Sequence, residues 1–380
     1  MTDSSRNSAA AADADSNRDP AAGEFDSRQF VRFAFYKLDR TWLSLPPEQQ
    51  MDSKAGFIDM VKNFSRRMLL KSYSLVGIRG DVDFLLWQIA YQPDIFQQFE
   101  TKIRDTRLGQ FLTTPHAYFA QTKRSIYDIP GEEDGDLQRL IIDPGERNYL
   151  FVYPFVKTRA WYALDMDARQ RMIDEHIQVG RKFPNIRLNT TYSYGLDDQE
   201  FVVAFETDDA GDFLNLVMEL RETEASAYTL KDTPTFTCIS CSLPEMLDSL
   251  GGEPVQIAAG ESEGDGWVSI ARLDEIPAGQ PQLVFAGSRQ LALFNIDGRI
   301  FAVDNRCPHS RGPLCHGRLG RIGNGETDGS GHPTISCPWH HATFDLITGA
   351  AQPGSITETP VPVYDVKVTD GIVSVHIAHP

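Results

Sequence analysis

Two short stretches near the C-terminus carry the donors for a metal centre: Cys307-Pro308-His309 and Cys337-Pro338-Trp339-His340. Each offers one thiol and one imidazole. Two thiolates for one iron and two imidazoles for the other make the donor set of an asymmetric [2Fe-2S] cluster. Exchanging two anionic thiolates for neutral imidazoles raises the reduction potential of such a cluster above that of an all-Cys one. The same residue types also bind zinc, although a Cys-x-His half-site is unusual for that ion. A centre of this kind handles electrons one at a time.

The residues around these donors, Cys307-Pro-His-Ser-Arg-Gly-Pro-Leu and Cys337-Pro-Trp-His-His-Ala-Thr-Phe-Asp-Leu-Ile-Thr-Gly, resemble the two ligand loops of Rieske ferredoxins and ring-hydroxylating oxygenases. The resemblance covers 266–377. Its spacer, 310–336, is longer than is usual there, and the excess at 320–331 is rich in Gly, Asn, Asp, Glu and Ser, which predicts a solvated loop. Of five cysteines, Cys238, Cys241 and Cys315 remain, and an odd remainder argues for a reducing compartment. Cys238-Ile-Ser-Cys241 has redox-motif spacing, but its neighbours alternate like a strand, so a structural role is expected. Cys315 is expected to be a packing residue, and no second cysteine beside His340 could form a bracing disulfide.

Positioning these donors is the work of an all-β C-terminal domain, 266–380. Strand-like runs at 291–294 and 300–303 flank Asn295-Ile-Asp-Gly298, and 364–368 and 372–377 flank Asp370-Gly371, both hairpin signals. A Gly-, Glu- and Ser-rich stretch, 246–265, reads as a linker. Ahead of it, 26–245 contain an internal repeat. One half runs Phe30-Val-Arg-Phe-Ala-Phe-Tyr36, Trp42-Leu-Ser-Leu, a helix over 51–68, Gly80-Asp-Val-Asp-Phe-Leu-Leu-Trp87 and a helix over 93–106. The other runs Tyr149-Leu-Phe-Val-Tyr-Pro154, Trp161-Tyr-Ala-Leu, a helix over 167–181, Gly195-Leu-Asp-Asp-Gln-Glu-Phe-Val-Val203 and a helix over 210–220. Each is β-α-β-β-α-β in outline. The predicted class is α+β: two ferredoxin-like halves packed as a barrel, then an all-β sandwich.

The second half is similar to the chlorite dismutase family, in particular its coproheme decarboxylase branch. The text that carries this is Tyr153-Pro-Phe-Val-Lys157, Trp161-Tyr162, Met172-Ile-Asp-Glu-His176-Ile, Gly195-Leu-Asp-Asp, Phe205-Glu-Thr-Asp-Asp209 and Met218-Glu-Leu-Arg221-Glu-Thr-Glu-Ala-Ser226. The resemblance implies a haem, b-type or coproporphyrin, with His176 as axial ligand. It further implies that Tyr153 is a tyrosine oxidised during catalysis and that Lys157, Arg221 and Ser226 hold propionate carboxylates, work suited to cations and hydroxyl donors. The residues by themselves say less. His116 and His176 are the two histidines of 26–245, and a lone histidine among Met172, Ile173, Ile177 and Val179 is more often a satisfied core residue. His116, in Thr113-Thr-Pro-His-Ala, is expected in a loop.

Chlorite chemistry in this family is associated with an arginine seven residues before the glycine of Gly-Leu-Asp-Asp. Here that position is Leu188, and Arg187 would need a register slip that turns a strand side chain to the other face. The resemblance therefore implies an apolar distal side and argues against chlorite dismutation. Two histidines so far apart also fail to supply a two-histidine, one-carboxylate iron site, which argues against a ring-hydroxylating oxygenase. The leading expectation is a haem-binding oxidoreductase whose cluster exchanges electrons with the haem. The alternatives are a peroxide-dependent coproheme decarboxylase with an accessory cluster domain, and a haem carrier or redox sensor without turnover.

Composition frames this reading. A chain of 380 residues suits two or three domains. No apolar run approaches membrane-spanning length and the start lacks a signal-peptide layout, so a cytoplasmic protein is expected. The Asp-, Ser- and Ala-rich 1–25 predict a disordered acidic tail. A net charge of −17 argues against nucleic acid and anionic membranes as partners, and with 26 Arg against 10 Lys it fits a halophilic cytoplasm. The expected partners are a small-molecule substrate or peroxide, a redox partner, and further copies of the chain in a homo-oligomer.

Overall fold

The structure is a computed structural model that describes residues 28–64, 67–127, 142, 144–145, 147–255, 266–286, 289–309, 311–322 and 331–377. The expected acidic tail lies outside them.

The first half runs β1 (Phe30–Leu38), α1 (Pro47–Phe64), β2 (Leu69–Ser74), β3 (Phe84–Ala90), α2 (Asp94–Asp105) and β4 (Leu112–Gln121). The second runs β5 (Tyr149–Lys157), the short α3 (Arg159–Ala163), α4 (Met166–Gly180), β6 (Arg187–Tyr192), β7 (Phe201–Thr207), α5 (Ala210–Glu222), a 3-10 turn (Glu224–Tyr228), β8 (Thr229–Lys231) and β9 (Phe236–Ser240). Helix α1 begins earlier than the periodicity predicts because Pro47 suits a first helical position, where a missing N–H costs nothing.

The halves do not lie as two separate sheets. Their strands join edge to edge in one nine-stranded antiparallel sheet, β7-β6-β4-β1-β3-β2-β9-β5-β8, and β5 pairs again with β7 to close it. The seams are short: Gln121 with Tyr192 on one side, Tyr73 with Ser240 and Ser74 with Ile239 on the other. Period-two alternation then decides what each side chain meets. Val31, Phe33, Phe35, Trp87, Leu150, Val152 and Phe236 fill the barrel interior, whereas Phe151, Tyr153 and Phe205 face the outer layer under α4 and α5.

Three readings change. His116 lies within β4, opposite Phe35, with Nε2 3.1 Å from Asp81, because that strand begins earlier than its Thr-Pro sequence suggests. The start of the expected linker is a helix, α6 (Leu243–Ser249), opened by a Ser242–Glu245 capping box. It carries Leu243, Met246 and Leu247 into the first half's outer core, and buried Lys54 ties Asp248 (2.9 Å) and the Glu253 carbonyl (2.8 Å) to α1. Finally, the edges of the expected spacer loop are strands: β14 (Arg318–Ile322) pairs with β15 (His332–Ser336). Residues 323–330, between them, lie outside the described residues.

The C-terminal domain packs three small antiparallel sheets, β10 (Trp267–Arg272) with β19 (Ile372–His376) and β18 (Val366–Thr369), β11 (Gln282–Ala286) with β12 (Arg289–Ile296), β13 (Arg299–Asp304) and β17 (Val363–Tyr364), and β14 with β15 and β16 (Thr343–Asp345). It rests on the barrel's first half. Gln290 donates to the Leu70 carbonyl (2.8 Å), Arg306 to that of Pro144 (2.7 Å), and Phe285 packs against the core under α1.

Candidate functional site

The two cysteine-histidine loops have one backbone design. Arg311 N–H donates to the Cys307 carbonyl and Cys307 N–H to that of Gly312; His341 and Cys337 repeat this with Cys337 and Ala342. Arg311 and His341, at matching positions, both have positive φ, 62° and 59°. Side chains then meet in pairs. The Cys307 thiol hydrogen-bonds Cys337, which with the Trp339 and His340 amides holds the Cys337 thiol below its ordinary value. The His309 and His340 rings lie 4.8 Å apart, and burial lowers both imidazoles, so they are neutral donors at neutral pH.

Two observations fit this set to a two-iron cluster. The buried Nδ1 of His340 has no hydrogen-bond partner, an arrangement a metal ligand tolerates and an ordinary core histidine does not. A Cβ on Gly312 would stand 2.6 Å from Cys337 Sγ, so only glycine lets the first loop approach the second loop's sulfur. Among the described residues, no three His, Cys, Asp or Glu side chains gather as a single ion needs. Thiols and imidazoles gather as separate pairs instead. Gly312 was missed in the sequence, although its place between Arg311 and Pro313 in a ligand loop was a usable signal. Tyr91, just past β3, was also missed and carried no signal: it packs edge-on against Trp339 (5.0 Å) and His340 (5.9 Å).

The second constellation lies between the second half-sheet and its helices. Helix α4 starts at an Asp165 cap, whose carboxylate accepts from Ala168 N–H at 2.7 Å. Its inward stripe reads Met172, Ile173, His176 and Val179. Met172 and Ile173 join Trp161, Tyr162, Ala225 and Tyr228, while Val179 joins Phe151, Phe205 and Phe213. His176 stands between these two apolar clusters. Burial first, and the Lys157 charge second, lower it to about 4, leaving a neutral imidazole able to donate to iron.

Tyr153, on the helix-facing side of β5, stacks over Phe205 at 6.1 Å, and burial followed by the Asp232 charge raises its hydroxyl well above the ordinary value. Lys157 ends the same strand. Its ammonium lies 4.4 Å over the Trp161 ring and donates to the Ala225 carbonyl at 2.9 Å, and burial lowers it to about 8. Ser226 is the next residue, half-buried in the 3-10 turn. Thus Tyr153, Lys157, His176 and Ser226 share one layer. Arg221 stands at its rim, half-exposed and ion-paired with Asp232, so its charge is already compensated.

Leu188 lies opposite Phe205 and so faces this layer, whereas Arg187 lies opposite Glu206 on the other face of the sheet. The layer is therefore apolar at this position. Cys238 is fully buried in β9, its thiol pushed well up by burial, and no disulfide joins any of the five cysteines. Cys315 is buried in the core beneath the cluster loops.

Comparison with known proteins matches both regions. The family profile described as chlorite dismutase matches 50–241, and that of a Rieske-like [2Fe-2S] domain matches 266–376. A coproheme decarboxylase of Mycolicibacterium smegmatis is 29% identical over 238 residues, 60% of this chain and 98% of that protein. Among solved structures, chlorite dismutase from Candidatus Nitrospira defluvii in complex with imidazole aligns at TM-score 0.54 and 30% identity, over 58% of this chain and 94% of that one. A heme-binding protein from Thermus thermophilus aligns at TM-score 0.53 and 21% identity, over 58% of this chain and 94% of that one, a likeness of fold alone.

Proposed function

Because the chain belongs to the chlorite dismutase family, with a haem-binding domain and a C-terminal Rieske-like [2Fe-2S] domain, we propose that it is an oxidoreductase whose cluster, on Cys307, His309, Cys337 and His340, exchanges single electrons with a haem on His176. When bound, the haem supplies one-electron and peroxide chemistry and the cluster a one-electron store. The contact of Tyr91 with Trp339 and His340 carries this reading, since it joins the barrel directly to a cluster ligand and its neighbour. The test is to reduce the cluster in the haem-loaded chain and follow the haem band by stopped flow. No change over seconds, with a favourable potential difference, would leave a haem carrier or sensor.

A second reading, peroxide-dependent decarboxylation of coproporphyrin haem, is favoured by the layer that gathers Tyr153, Lys157, His176 and Ser226, and by the relative named for that activity. In it, neutral His176 donates to the iron, and Lys157 and Ser226 hold propionate carboxylates. Tyr153, kept protonated by burial, is the hydrogen-atom carrier. Apolar Leu188 facing this layer argues against chlorite dismutation. Coproporphyrin haem with peroxide should lose two carboxyl groups, and Tyr153→Phe should slow this by about 100-fold, on the order of 3 kcal/mol. Full activity in Tyr153→Phe would remove that residue from the mechanism.

A further inference from the structure

A second tyrosine in the same layer is better provided for oxidation than Tyr153. The Tyr162 hydroxyl donates to Glu200 Oε2 at 2.7 Å, and the Lys157 backbone N–H donates to the same oxygen at 2.7 Å. Tyr162 has one hydroxyl proton and gives it to Glu200, so the 2.7 Å contact with Tyr194 has Tyr194 as donor. The result is a directed line, Tyr194 to Tyr162 to Glu200. Its middle member, Tyr162, packs in the cluster that holds Trp161, Met172, Ile173 and Ala225, and Met172 and Ile173 lie one helical turn from His176. Its outer end, Tyr194, is 48% exposed.

A phenol that loses an electron becomes a strong acid, so its oxidation is easiest where a base takes the proton in the same event. Glu200 is such a base for Tyr162. Tyr153 meets Asp232 and Arg221 only through their charges. We propose that Tyr194, Tyr162 and Glu200 form an exit line that carries oxidising equivalents from the haem layer to the surface. The proposal rests on the reading that His176 holds a haem that reacts with peroxide.

The steps balance. One electron leaves Tyr162 for the oxidant that haem and hydrogen peroxide form together; the Tyr162 O–H bond breaks, and its proton goes to the Glu200 carboxylate. This leaves a neutral phenoxyl radical beside a neutral carboxylic acid. Tyr194 then passes a hydrogen atom to the Tyr162 oxygen, which restores that phenol and puts the radical on Tyr194. A thiolate in solution, the reductant class required, gives one electron and becomes a thiyl radical, and the Glu200 proton returns through Tyr162 to complete the Tyr194 hydroxyl.

The experiment is freeze-quench electron paramagnetic resonance of the haem-loaded full chain mixed with peroxide, alongside mass-spectrometric mapping of a tyramide probe on surface tyrosines. The expected results are a tyrosyl signal that falls on Glu200→Gln, a longer-lived signal in Tyr194→Phe, and probe at Tyr194 that disappears in Tyr162→Phe. An unchanged haem band before peroxide establishes that each variant folds and loads. Probe at Tyr194 that survives Tyr162→Phe, or a radical yield indifferent to Glu200→Gln, overturns the exit line. A haem band that does not respond to peroxide in the unaltered chain instead overturns the peroxide reading beneath it.

Discussion

Aligned on Trp42 and Trp161, which follow the first strand of each half, the two halves of the barrel put Phe57 and His176 at the same place on the same helix. Everything around the two positions differs. Helix α1 buries Gln50, Ser53, Lys54, Phe57, Ile58, Met60 and Val61, and Phe57 has no exposure; α4 buries Met172 alone. Helix α6 returns to cover α1, and nothing comparable covers α4 among the described residues. Ala34, in the first half, takes the place that Tyr153 has in the second. One repeat thus holds a tightly packed layer and its copy a more open layer with ionisable side chains. In the copy a ring nitrogen stands where the first half has an aromatic edge, and Lys157 at the strand end stands where it has Leu38.

The largest test of this contrast is His176→Ala, which should abolish the Soret band of the haem-loaded protein while changing apo stability by at most about 1 kcal/mol; a retained band would mean another ligand. Phe57→Ala should do the opposite, costing about 3–5 kcal/mol in denaturant unfolding through the cavity it leaves, with the band intact in the fraction that folds. Lys157 gives a smaller, pH-dependent effect. Its folded value, about 8, lies below the ordinary one, so its charge is the disfavoured form in the fold; the stability penalty is full below about 8 and fades above it. Its hold on a carboxylate should therefore weaken as pH rises through about 8. Binding of a propionate-bearing porphyrin should fall by about tenfold, roughly 1.4 kcal/mol, and Lys157→Arg should flatten that profile. Arg221→Gln should be the mildest, about 0–1 kcal/mol in stability, because its pair with Asp232 is half-exposed; a larger loss would show that the rim of the second half is as tightly built as the first.

Local pattern was enough where chemistry is local. The Cys-x-His and Cys-x-x-His spacings pointed to the four candidate cluster donors, and two hairpin signals gave β12 with β13, which leads into the first donor loop, and β18 with β19. The repeat gave the barrel, and the run from Tyr153 to Ser226 gave the residues of the second layer. What escaped depends on distance in space. Lys54 meeting Asp248, Tyr91 meeting Trp339, and Tyr162 meeting Glu200 join residues far apart in sequence, and no window of composition contains both partners. His116 and the strand β14 were misread for a different reason: polar strands interrupted by Pro or Gly look like loops until their pairing partners are known.

The matched backbone of the two ligand loops has a consequence for how the centre is assembled. The main-chain turn of each loop is closed from within: Arg311 and His341 donate to the carbonyls of Cys307 and Cys337, and Cys307 and Cys337 donate to those of Gly312 and Ala342. The entropy of ordering the four donors is then lost when the domain folds, not when iron and sulfide arrive. A centre of this type differs from a zinc finger, in which metal binding is itself the folding reaction. Stripped of its iron, the domain should keep its loops and accept a cluster again, so that loading is a reversible event on a finished scaffold.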